Sequence, residues 1–170
     1  MRKIIGLATA LSSAAAFTVV AGGGTAIAAP TLCPPDTGVA ITSHSSYFIG
    51  TANVFKDGPG GTIQVSVTRA STLTASLSST AEVSVSDVIS SAKLSVSASI
   101  TSSVAVTVGH TYTHNITANK YGNAQYGSWG YKVGWEKTRD NGNCTVTVLA
   151  SGTAILPVSS VGWKYWETSS

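Results

Sequence analysis

The chain has 170 residues, 43% of them apolar and only 10% charged, and it contains 25 serines and 22 threonines. This length suffices for one domain with its own core but not for two, and the low charge with an average apolar content excludes an intrinsically disordered chain or a protein with several membrane-spanning helices. The formal net charge of +3 includes Arg2 and Lys3, and the eight basic and seven acidic residues beyond them do not indicate a nucleic-acid partner.

The N-terminal segment has the pattern of a secretory signal peptide. The basic pair Arg2 and Lys3 is followed by an apolar run at residues 4–20, and Ala26-Ile27-Ala28 has the small-x-small pattern of a cleavage site. A membrane anchor is the weaker alternative, because three consecutive glycines break the apolar run. We therefore expect residues 1–28 to be a signal peptide, similar to the Ala- and Gly-rich leaders of high-GC Gram-positive bacteria.

Residues 29–170 are expected to form a single secreted, extracellular β domain, and this location makes the cysteines interpretable. Cys33 and Cys144 are the only two cysteines, and an oxidising exterior favours a disulfide between them. Such a bridge would close a loop of about 110 residues and contribute on the order of 4–5 kcal/mol in the chain-entropy model. Two free thiols or a bridge between two chains are the alternatives.

The first part of this domain, residues 29–61, is rich in turn-forming residues. A strong loop signal stands at residues 56–61, which read Lys-Asp-Gly-Pro-Gly-Gly. Only the Tyr-Phe-Ile sequence at 47–49 suggests a short apolar strand, and the cluster His44-Ser45-Ser46 is typical of a loop. The composition therefore predicts a mostly irregular segment.

Residues 62–117 contain 24 Ser or Thr residues and no proline. Most of their apolar residues keep one parity, which changes near Ser86-Asp87. Those at odd positions are Ile63, Val65, Val67, Leu73, Ala75, Leu77, Ala81, Val83 and Val85, and those at even positions are Val88, Ala92, Leu94, Val96, Ala98, Ile100, Val104, Val106 and Val108. Because side chains alternate across a strand, each run is apolar on one face and hydroxyl-lined on the other. The pattern predicts strands at 62–78 and 99–117.

The segment between these strands, residues 81–96, also has a competing period. Its apolar spacing matches one stripe of an amphipathic helix, and Thr80 and Glu82 would suit the start of such a helix. The stripe consists of Ala81, Val85, Val88, Ile89, Ala92 and Val96. Ser and Val are mediocre helix formers, so the sequence predicts either one short helix or the tip of a hairpin.

Residues 120–166 contain eight of the thirteen aromatic residues. Large apolar side chains alternate with glycine or charged residues over 129–136, which predicts a strand. The sequence Asp140-Asn141-Gly142-Asn143 predicts a hairpin turn, because Asn-Gly tolerates the positive φ angles of such turns. Pro157 should end the following segment, and a last strand is expected at 161–166.

Together these patterns predict a mainly β fold. We expect an elongated antiparallel β-sheet or sandwich with a Ser/Thr-rich amphipathic hairpin, and with one short helix at 81–96 as an option. The whole of 29–170 would belong to this one domain.

No motif in the sequence indicates catalysis or a cofactor. Hydrolysis by a serine needs a neighbouring base held by a third group, and no G-x-S-x-G sequence is present. His110 and His114 lie four residues apart, but no nearby Cys, Asp or Glu completes a metal site. We therefore expect a protein that is not an enzyme and that binds no cofactor or metal.

The Ser/Thr-rich runs have the pattern of transmembrane β-strands, which need about 9–11 residues to cross a bilayer and must close into a barrel. Two such runs of opposite parity would form a membrane-inserting hairpin, and several copies would have to oligomerise to close the barrel. The candidate membrane-facing residues are Leu73, Leu77, Val83, Val85, Val88, Leu94, Val96, Ile100, Val104 and Val106.

The sequence TVGHTYTHNI at residues 107–116, followed by Lys120-Tyr121-Gly122 and aromatic alternating strands, resembles the core of the aerolysin-type β-pore-forming toxins, the group of epsilon-toxin and mosquitocidal toxins. The resemblance covers about residues 62–150. It implies oligomerisation on a target membrane and insertion of a hairpin that corresponds to about residues 73–106. The chain departs from the family in having no separate receptor-binding domain and in having Thr-Ala-Asn at residues 117–119, where the family has a proline.

Two other functions fit the same sequence. Exposed β-edges can lend or accept a strand, so the protein would serve as an adaptor subunit of an extracellular antibacterial toxin complex, with the Pro-rich segment 29–38 as its docking strand. Aromatic residues would instead stack on sugar rings in a carbohydrate-binding module. The candidates for such stacking are Trp129, Tyr131, Trp135, Trp163 and Trp166.

The expected partners follow from these alternatives. They are further copies of the chain, another secreted protein or a target membrane, and not nucleic acid. The segments at 125–130 and 161–166 also resemble uncharacterised small secreted proteins of actinobacteria, a resemblance that implies no function.

Overall fold

The computed structural model describes residues 33–78 and 83–169. The predicted signal peptide at 1–28 and the predicted helix start near Thr80 and Glu82 lie outside these residues. Within the described ranges the chain is mainly β with one helix, as the sequence predicts. The elements are β1 (Thr37–Asp57), β2 (Gly61–Ser66), β3 (Ser71–Thr74), β4 (Ser76–Leu77), α1 (Val85–Ser95), β5 (Ser103–Val106), β6 (Thr111–Ile116), β7 (Tyr121–Asp140), β8 (Val146–Leu156) and β9 (Val161–Thr168).

The largest sheet is built around β7, which is paired along both of its edges. On one edge, β1 runs antiparallel to β7 along almost its whole length. On the other edge, residues 121–128 of β7 pair with β9 and residues 131–140 pair with β8, which also pairs with the short β4. All of these pairings are antiparallel, which confirms the predicted type of sheet.

The long strand β1 corrects the expectation that residues 29–61 are mostly irregular, with a short strand at 47–49. β1 includes His44-Ser45-Ser46, which the sequence predicts as a loop. Most of its side chains are exposed, and small or polar residues interrupt its apolar ones irregularly, so its hydrophobic alternation is weak. Its extended conformation comes instead from backbone pairing with β7, a tertiary effect that outweighs local propensity. The predicted loop that follows is confined to residues 58–60.

β7 is also much longer than the strand predicted at 129–136. Glycines hide its length in the sequence, because they carry no side chain to show the alternation. A Cβ atom on Gly127 would overlap the carbonyl of Ile49 on β1, so glycine allows the two backbones to lie this close. The predicted hairpin turn after β7 is confirmed, although the positive φ of 63° belongs to Cys144 and not to the Asn-Gly pair.

The end of the chain follows the prediction. β8 stops directly before Pro157, and β9 forms the expected last strand. Proline cannot donate a backbone hydrogen bond to a ladder, which accounts for the stop.

A disulfide joins Cys33 to Cys144, with their Cα atoms 5.2 Å apart, as the sequence predicts. Cys33 precedes β1 and Cys144 lies in the turn between β7 and β8. A backbone hydrogen bond of 2.8 Å from Asp140 to Asp36 lies beside it. The start of the described chain is therefore fixed to the same end of the sheet as this turn.

Alternation along β7 directs side chains to two faces of the sheet, and each face is covered over a different half of the strand. Val133 and Trp135 point to one face, called face A, where they are buried together with residues of α1. Ala124 and Tyr126 point to the opposite face B, where β2, β3, β5 and β6 cover them. Exposed Trp129 marks the open part of face A, and exposed Lys132 marks the open part of face B.

The helix α1 settles the ambiguity at residues 81–96. Ser84 is its N-cap, accepting a hydrogen bond from the backbone N–H of Asp87 (3.2 Å), while the Asp87 carboxylate accepts one from the N–H of Ser84 (3.3 Å). The hydroxyl of Ser91 donates to the carbonyl of Val39 on β1 (2.6 Å) and attaches the helix to the sheet. The buried residues of the helix, all on the predicted stripe, are Val88, Ile89 and Ala92.

Candidate functional site

The Ser/Thr-rich region forms one two-stranded antiparallel ribbon. β2 pairs with β6 and β3 pairs with β5, and both pairs share one register, because the same number of residues separates them on the two strands. A backbone hydrogen bond of 2.8 Å from Ala75 to Ser102 continues the pairing beyond β3. We call the paired segments, residues 61–75 and 102–116, the ribbon.

The ribbon is interrupted at residues 67–70 and 107–110, so the two predicted strands are present as shorter pieces. Val67 still bridges the gap: its N–H donates to the carbonyl of His110 and its carbonyl accepts from the N–H of Gly109, each at 2.9 Å. Gly109 has a φ of 90°, a conformation that favours glycine. The register therefore passes through the interruption unchanged.

The change of parity along the sequence places the apolar side chains of both strands on one face of the ribbon. Odd-numbered residues of the first strand lie opposite even-numbered residues of the second, as Leu73 lies opposite Val104. This apolar side packs on face B of the sheet. Its buried members are Ile63, Val67, Leu73, Val106 and Ile116. The predicted amphipathic hairpin pattern is thus confirmed as the ribbon.

The opposite side of the ribbon carries hydroxyl, amide and small groups and no charge. Nearly all of these residues are exposed. They are Thr62, Gln64, Ser66, Thr68, Ala70, Thr72 and Thr74 on the first strand and Ser103, Ala105, Thr107, Gly109, Thr111, Thr113 and Asn115 on the second. Hydroxyl groups can form hydrogen bonds with water or with one another. This side of the ribbon is therefore compatible with water and with contact to a similar hydroxyl-bearing surface.

The outer edges of the ribbon lack a neighbouring strand in the part of the chain that the structure describes. β2 and β6 pair with each other alone, and so do β3 and β5. Unpaired edges present rows of backbone N–H and C=O groups that can template a further strand. Either edge of the ribbon can therefore accept a strand from another chain.

Aromatic and histidine rings hold the ribbon on the sheet. His114 lies 4.0 Å from Tyr165 between ring centroids, and His110 stacks on Tyr126 at 5.0 Å. Tyr112 stacks on Trp163 of β9 in the same row, at 5.9 Å. These ring contacts lie beside the aliphatic core of the same interface, in which Ile63, Leu73 and Ile116 of the ribbon are buried.

Glu167 on β9 fastens the base of the ribbon. Its carboxylate accepts hydrogen bonds from the backbone N–H of Thr117 (2.9 Å) and from the hydroxyl of Tyr165 (2.8 Å). These two bonds hold the pKa of the Glu167 carboxyl below its ordinary value of 4.5. Desolvation, together with the same bond, raises the pKa of Tyr165 to about 12. The attachment therefore depends on an ionised carboxylate.

The chain between the two ribbon strands folds over face A and does not continue the ribbon. We call this segment, residues 76–101, the tip; the structure describes it at 76–78 and 83–101. β4 pairs with β8, and the N–H of Thr101 donates to the carbonyl of Pro157 at 2.9 Å. α1 buries its apolar stripe on the sheet, yet Leu94 on the same helix is 92% exposed.

The ten predicted membrane-facing residues thus fall into two groups on opposite faces of the sheet. The group on the ribbon consists of Leu73, Val104 and Val106. The group in the tip consists of Leu77, Val83, Val85, Val88, Leu94, Val96 and Ile100. Except for exposed Leu94, the tip residues pack in or against the core of face A. The residues of the predicted membrane-inserting hairpin therefore belong to two separate cores, one on each face of the sheet.

Of the five aromatic residues predicted to stack on a ligand, two lie on the open part of face A. Trp135 is buried, Tyr131 packs against the same core, and Trp163 lies between the ribbon and the sheet. Trp129 is 47% exposed and Trp166 is half-buried. Only the last two rings are therefore placed to meet a ligand on this surface.

Two neighbours of these tryptophans escape the sequence analysis. The ring of Phe48 lies 4.7 Å from that of Trp129, and the Lys164 ammonium lies 5.6 Å from Phe48 and 5.7 Å from Trp166. The alternation of Gly162, Lys164 and Trp166 along β9 is a signal for Lys164. Phe48 has no such signal, because β1 itself is not predicted.

Across residues 33–78 and 83–169, no three His, Cys, Asp or Glu side chains lie close enough together to hold a metal ion. No helix within those same ranges has the length and apolar content to span a bilayer.

No model of a known protein family matches the chain, and no curated protein sequence is significantly similar to it. Relatives therefore contribute nothing to a functional assignment. A functional assignment is therefore based on the geometry of the ribbon, the tip and the sheet.

Proposed function

We propose that this protein is secreted and acts on a target membrane. The tip leaves face A, the ribbon extends into a longer β-hairpin, and several copies join their hairpins into an inserted β-barrel. The observation that carries this proposal is the unbroken register of the ribbon.

The register of the ribbon can continue through the tip without a shift. Extended beyond Ala75 and Ser102, it pairs mostly apolar residues up to a tight turn at 88–89. The new apolar pairs include Leu77 with Ile100, Val83 with Leu94, and Val85 with Ala92, whereas Ser79 falls opposite Ala98 and, next to the turn, Asp87 falls opposite Ser90. The alternate positions are all Ser or Thr except for Glu82 and Lys93. The longer hairpin therefore has a mainly apolar face and a hydroxyl face.

Such a hairpin is long enough to cross a bilayer. A membrane β-strand needs about 9–11 residues. Segments 71–85 and 92–106 exceed this length and place no charged residue on the apolar face. A single hairpin in lipid would leave the backbone groups of its edges without hydrogen bonds. Copies must therefore pair edge to edge, and the unpaired edges of the ribbon offer the place.

The folded tip accounts for a soluble state before assembly. α1 hides its apolar stripe in the core of face A, while the hydroxyl side of the ribbon faces water. Conversion breaks one capped helix and the packing of the tip, and the pairing of β7 with β1, β8 and β9 can persist. Transfer of the apolar face into lipid, at about 25 cal/mol per Å², and new backbone pairing offset this loss.

Secretion is supported by the signal-peptide pattern at 1–28 and by the disulfide between Cys33 and Cys144. Disulfides of this kind persist in oxidising compartments and are rare in the cytosol. The resemblance of the sequence to aerolysin-type toxins agrees with the same function. The target is then a membrane outside the producing cell.

Leu94 provides a sharp test, because it is 92% exposed in this structure but faces lipid in the proposed hairpin. Leu94→Asp should leave the soluble fold intact and put a carboxylate on the membrane-facing row. Ser95→Asp is a matched control, since Ser95 is also exposed and in the last turn of α1 but belongs to the hydroxyl face. We expect dye release from liposomes by the wild type and Ser95→Asp, and release at least tenfold slower for Leu94→Asp, because a carboxylate on the lipid side is unfavourable, although less so than an Arg or Lys at the bilayer midplane, which costs about 2–4 kcal/mol.

Two further readouts complete this test. Circular dichroism should show the same fold for both variants, and membrane samples of the wild type should contain oligomers that resist detergent. Equal dye release by the two variants, or none from any lipid composition by a monomeric wild type, overturns the proposal. A monomer without release would favour an adaptor that pairs a ribbon edge with a strand of another secreted protein.

Carbohydrate binding is a second candidate, favoured by the open rings on face A. Phe48, Trp129 and Trp166 with Lys164 between two of them form a surface on which a sugar ring can stack. Trp129→Ala should weaken retention on insoluble polysaccharide several-fold. The control is Tyr47→Ala, since Tyr47 is 43% exposed but lies on face B. Equal retention of both variants would exclude this surface as a sugar site.

A further inference from the structure

A cavity of about 230 Å³ lies between β1 and the ribbon, where both depart from regular pairing. The register of β1 against β7 shifts between Gly50 and Val54, so residues 51–53 bulge out of the ladder. The carbonyl of Thr51 in this bulge accepts a hydrogen bond of 2.7 Å from the side chain of Gln125, which fixes its shape. The ribbon contributes the residues of its own interruption at 67–71.

The cavity offers hydrogen-bond donors that are not used elsewhere in the described chain. Tyr126 lines it and is 4% exposed, yet its hydroxyl bonds to no group within residues 33–78 and 83–169. Arg69 lines it from the ribbon side and forms no ion pair in those ranges. This hydroxyl is open to the cavity and not sealed in the core, since the buried side-chain polar atoms without a partner in those ranges belong to Trp135 and Trp163, so a group that enters the cavity can accept a hydrogen bond from it.

The charge of the cavity is one-sided. Asn53 and Ser71 add polar groups, Phe55 adds an apolar wall, and no acidic residue is among the lining residues. Arginine binds carboxylate and phosphate groups through two parallel hydrogen bonds. The volume is below the range of about 300–1,000 Å³ that is typical of drug-sized ligands, so the occupant is small.

We propose that this cavity binds a small organic oxyanion, a phosphate ester or a carboxylate on a body of a few carbon atoms. Arg69 pairs with the oxyanion, the hydroxyl of Tyr126 donates to the same ligand, and Phe55 contacts its carbon skeleton. The proposal does not depend on membrane insertion, because it concerns the folded soluble state only. Since the ligand would touch both β1 and the ribbon, it would also stabilise their contact.

The test is an NMR titration of the oxidised chain with glycerol 3-phosphate and with glucuronate, using glycerol and glucose as uncharged controls. We expect saturable shifts of the backbone amides at 51–53 and 69–71 for at least one of the anions and none for the controls. Arg69→Gln should weaken binding at least tenfold, and Arg69→Lys should restore part of it. Arg139→Gln, an exposed arginine at the far end of β7, should leave the affinity unchanged.

Tyr126→Phe separates the cavity from surface charge, because it removes one hydroxyl and keeps the ring. It should lower the affinity several-fold while the melting temperature without ligand stays close to that of the wild type. Tighter binding of glycerol 3-phosphate or of glucuronate shows whether the ligand is a phosphate ester or a carboxylate. The proposal is overturned if neither anion shifts these amides, if Arg69→Gln binds as well as the wild type, or if Arg139→Gln weakens binding equally.

Discussion

The sheet around β7 and the ribbon are both antiparallel β structure, yet they are built from different residues. β7 is paired on both edges and carries large rings packed against glycines, as Trp135 packs on Gly152. The ribbon is paired on one edge of each strand and alternates small apolar residues with hydroxyls. Packing of rings on glycines specifies one arrangement of the sheet, whereas uniform alternation specifies which side of the ribbon is apolar but not the surface on which that side lies. We call the sheet around β7 the platform and the ribbon together with the tip the arm. In the proposed conversion the platform stays in place and the arm rearranges.

The largest expected effect is the loss of a ring from the platform. Trp135 is 1% exposed in the core of face A, so Trp135→Ala should lower the free energy of unfolding by about 3–5 kcal/mol. Trp129→Ala, at a 47% exposed position on the same strand and face, should cost well under half as much. Urea unfolding followed by circular dichroism measures both. Similar losses for the two variants would show that the platform is not held by its buried rings.

The next effect concerns the helix that keeps the arm folded. Ser84→Ala removes the N-cap of α1 and should weaken the helix by about 1 kcal/mol, with faster amide exchange in α1 than in β7. Ser90→Ala makes the same change at an exposed position of the same helix and should have little effect. Ser84→Ala and Ser90→Ala should also differ in dye release, with Ser84→Ala faster. Exchange that rises equally in α1 and β7 would contradict the separation of arm and platform.

The smallest effect is a pH dependence of the contact between the ribbon and β9. The pKa of Glu167 is lowered by its bonds to Thr117 and Tyr165, so the stabilisation is present above about pH 4.5 and is lost as the pH falls through the lowered pKa. The protection factors of the β6 amides, which correct for the intrinsic pH dependence of exchange, should therefore fall on acidification sooner than those of the β7 amides. Besides Tyr165, His114 is the titratable group that acts on Glu167.

Glu167→Gln is the control for this pH dependence, because the amide keeps the size of the side chain but does not titrate. Its protection factors in β6 should be lower than those of the wild type at neutral pH and nearly flat between pH 3 and 6. An unchanged acid response in this variant would assign the effect to other carboxyl groups.

The ribbon was predictable because its information is local. Alternation from Ile63 to Val85 and from Val88 to Val108 determines which side of each strand is apolar, and the parity change determines that both apolar sides coincide. The tip was predictable only as an ambiguity, since Val85, Val88 and Ala92 fit both a helix stripe and a strand. The proposed conversion uses that same ambiguity.

The features that escaped prediction depend on contacts between distant segments. β1 is a strand because β7 pairs with it, and its own sequence shows little alternation. Phe48 and Lys164 meet on face A only after β1 and β9 flank β7. The cavity beside Arg69 arises where two irregularities coincide, one in β1 and one in the ribbon, and no local pattern reports such a coincidence.

The bond between Cys33 and Cys144 turns most of the described chain into a covalent ring, with the ribbon and the tip inside it and β8 and β9 outside. Lys93 on α1 is the only Lys or Arg between Arg69 and Lys120. A trypsin-like protease that cut after Lys93 would open this ring without releasing a fragment, because the disulfide still joins the two pieces. Each strand of the ribbon would then end freely within a single molecule, and the cut would become visible only after reduction.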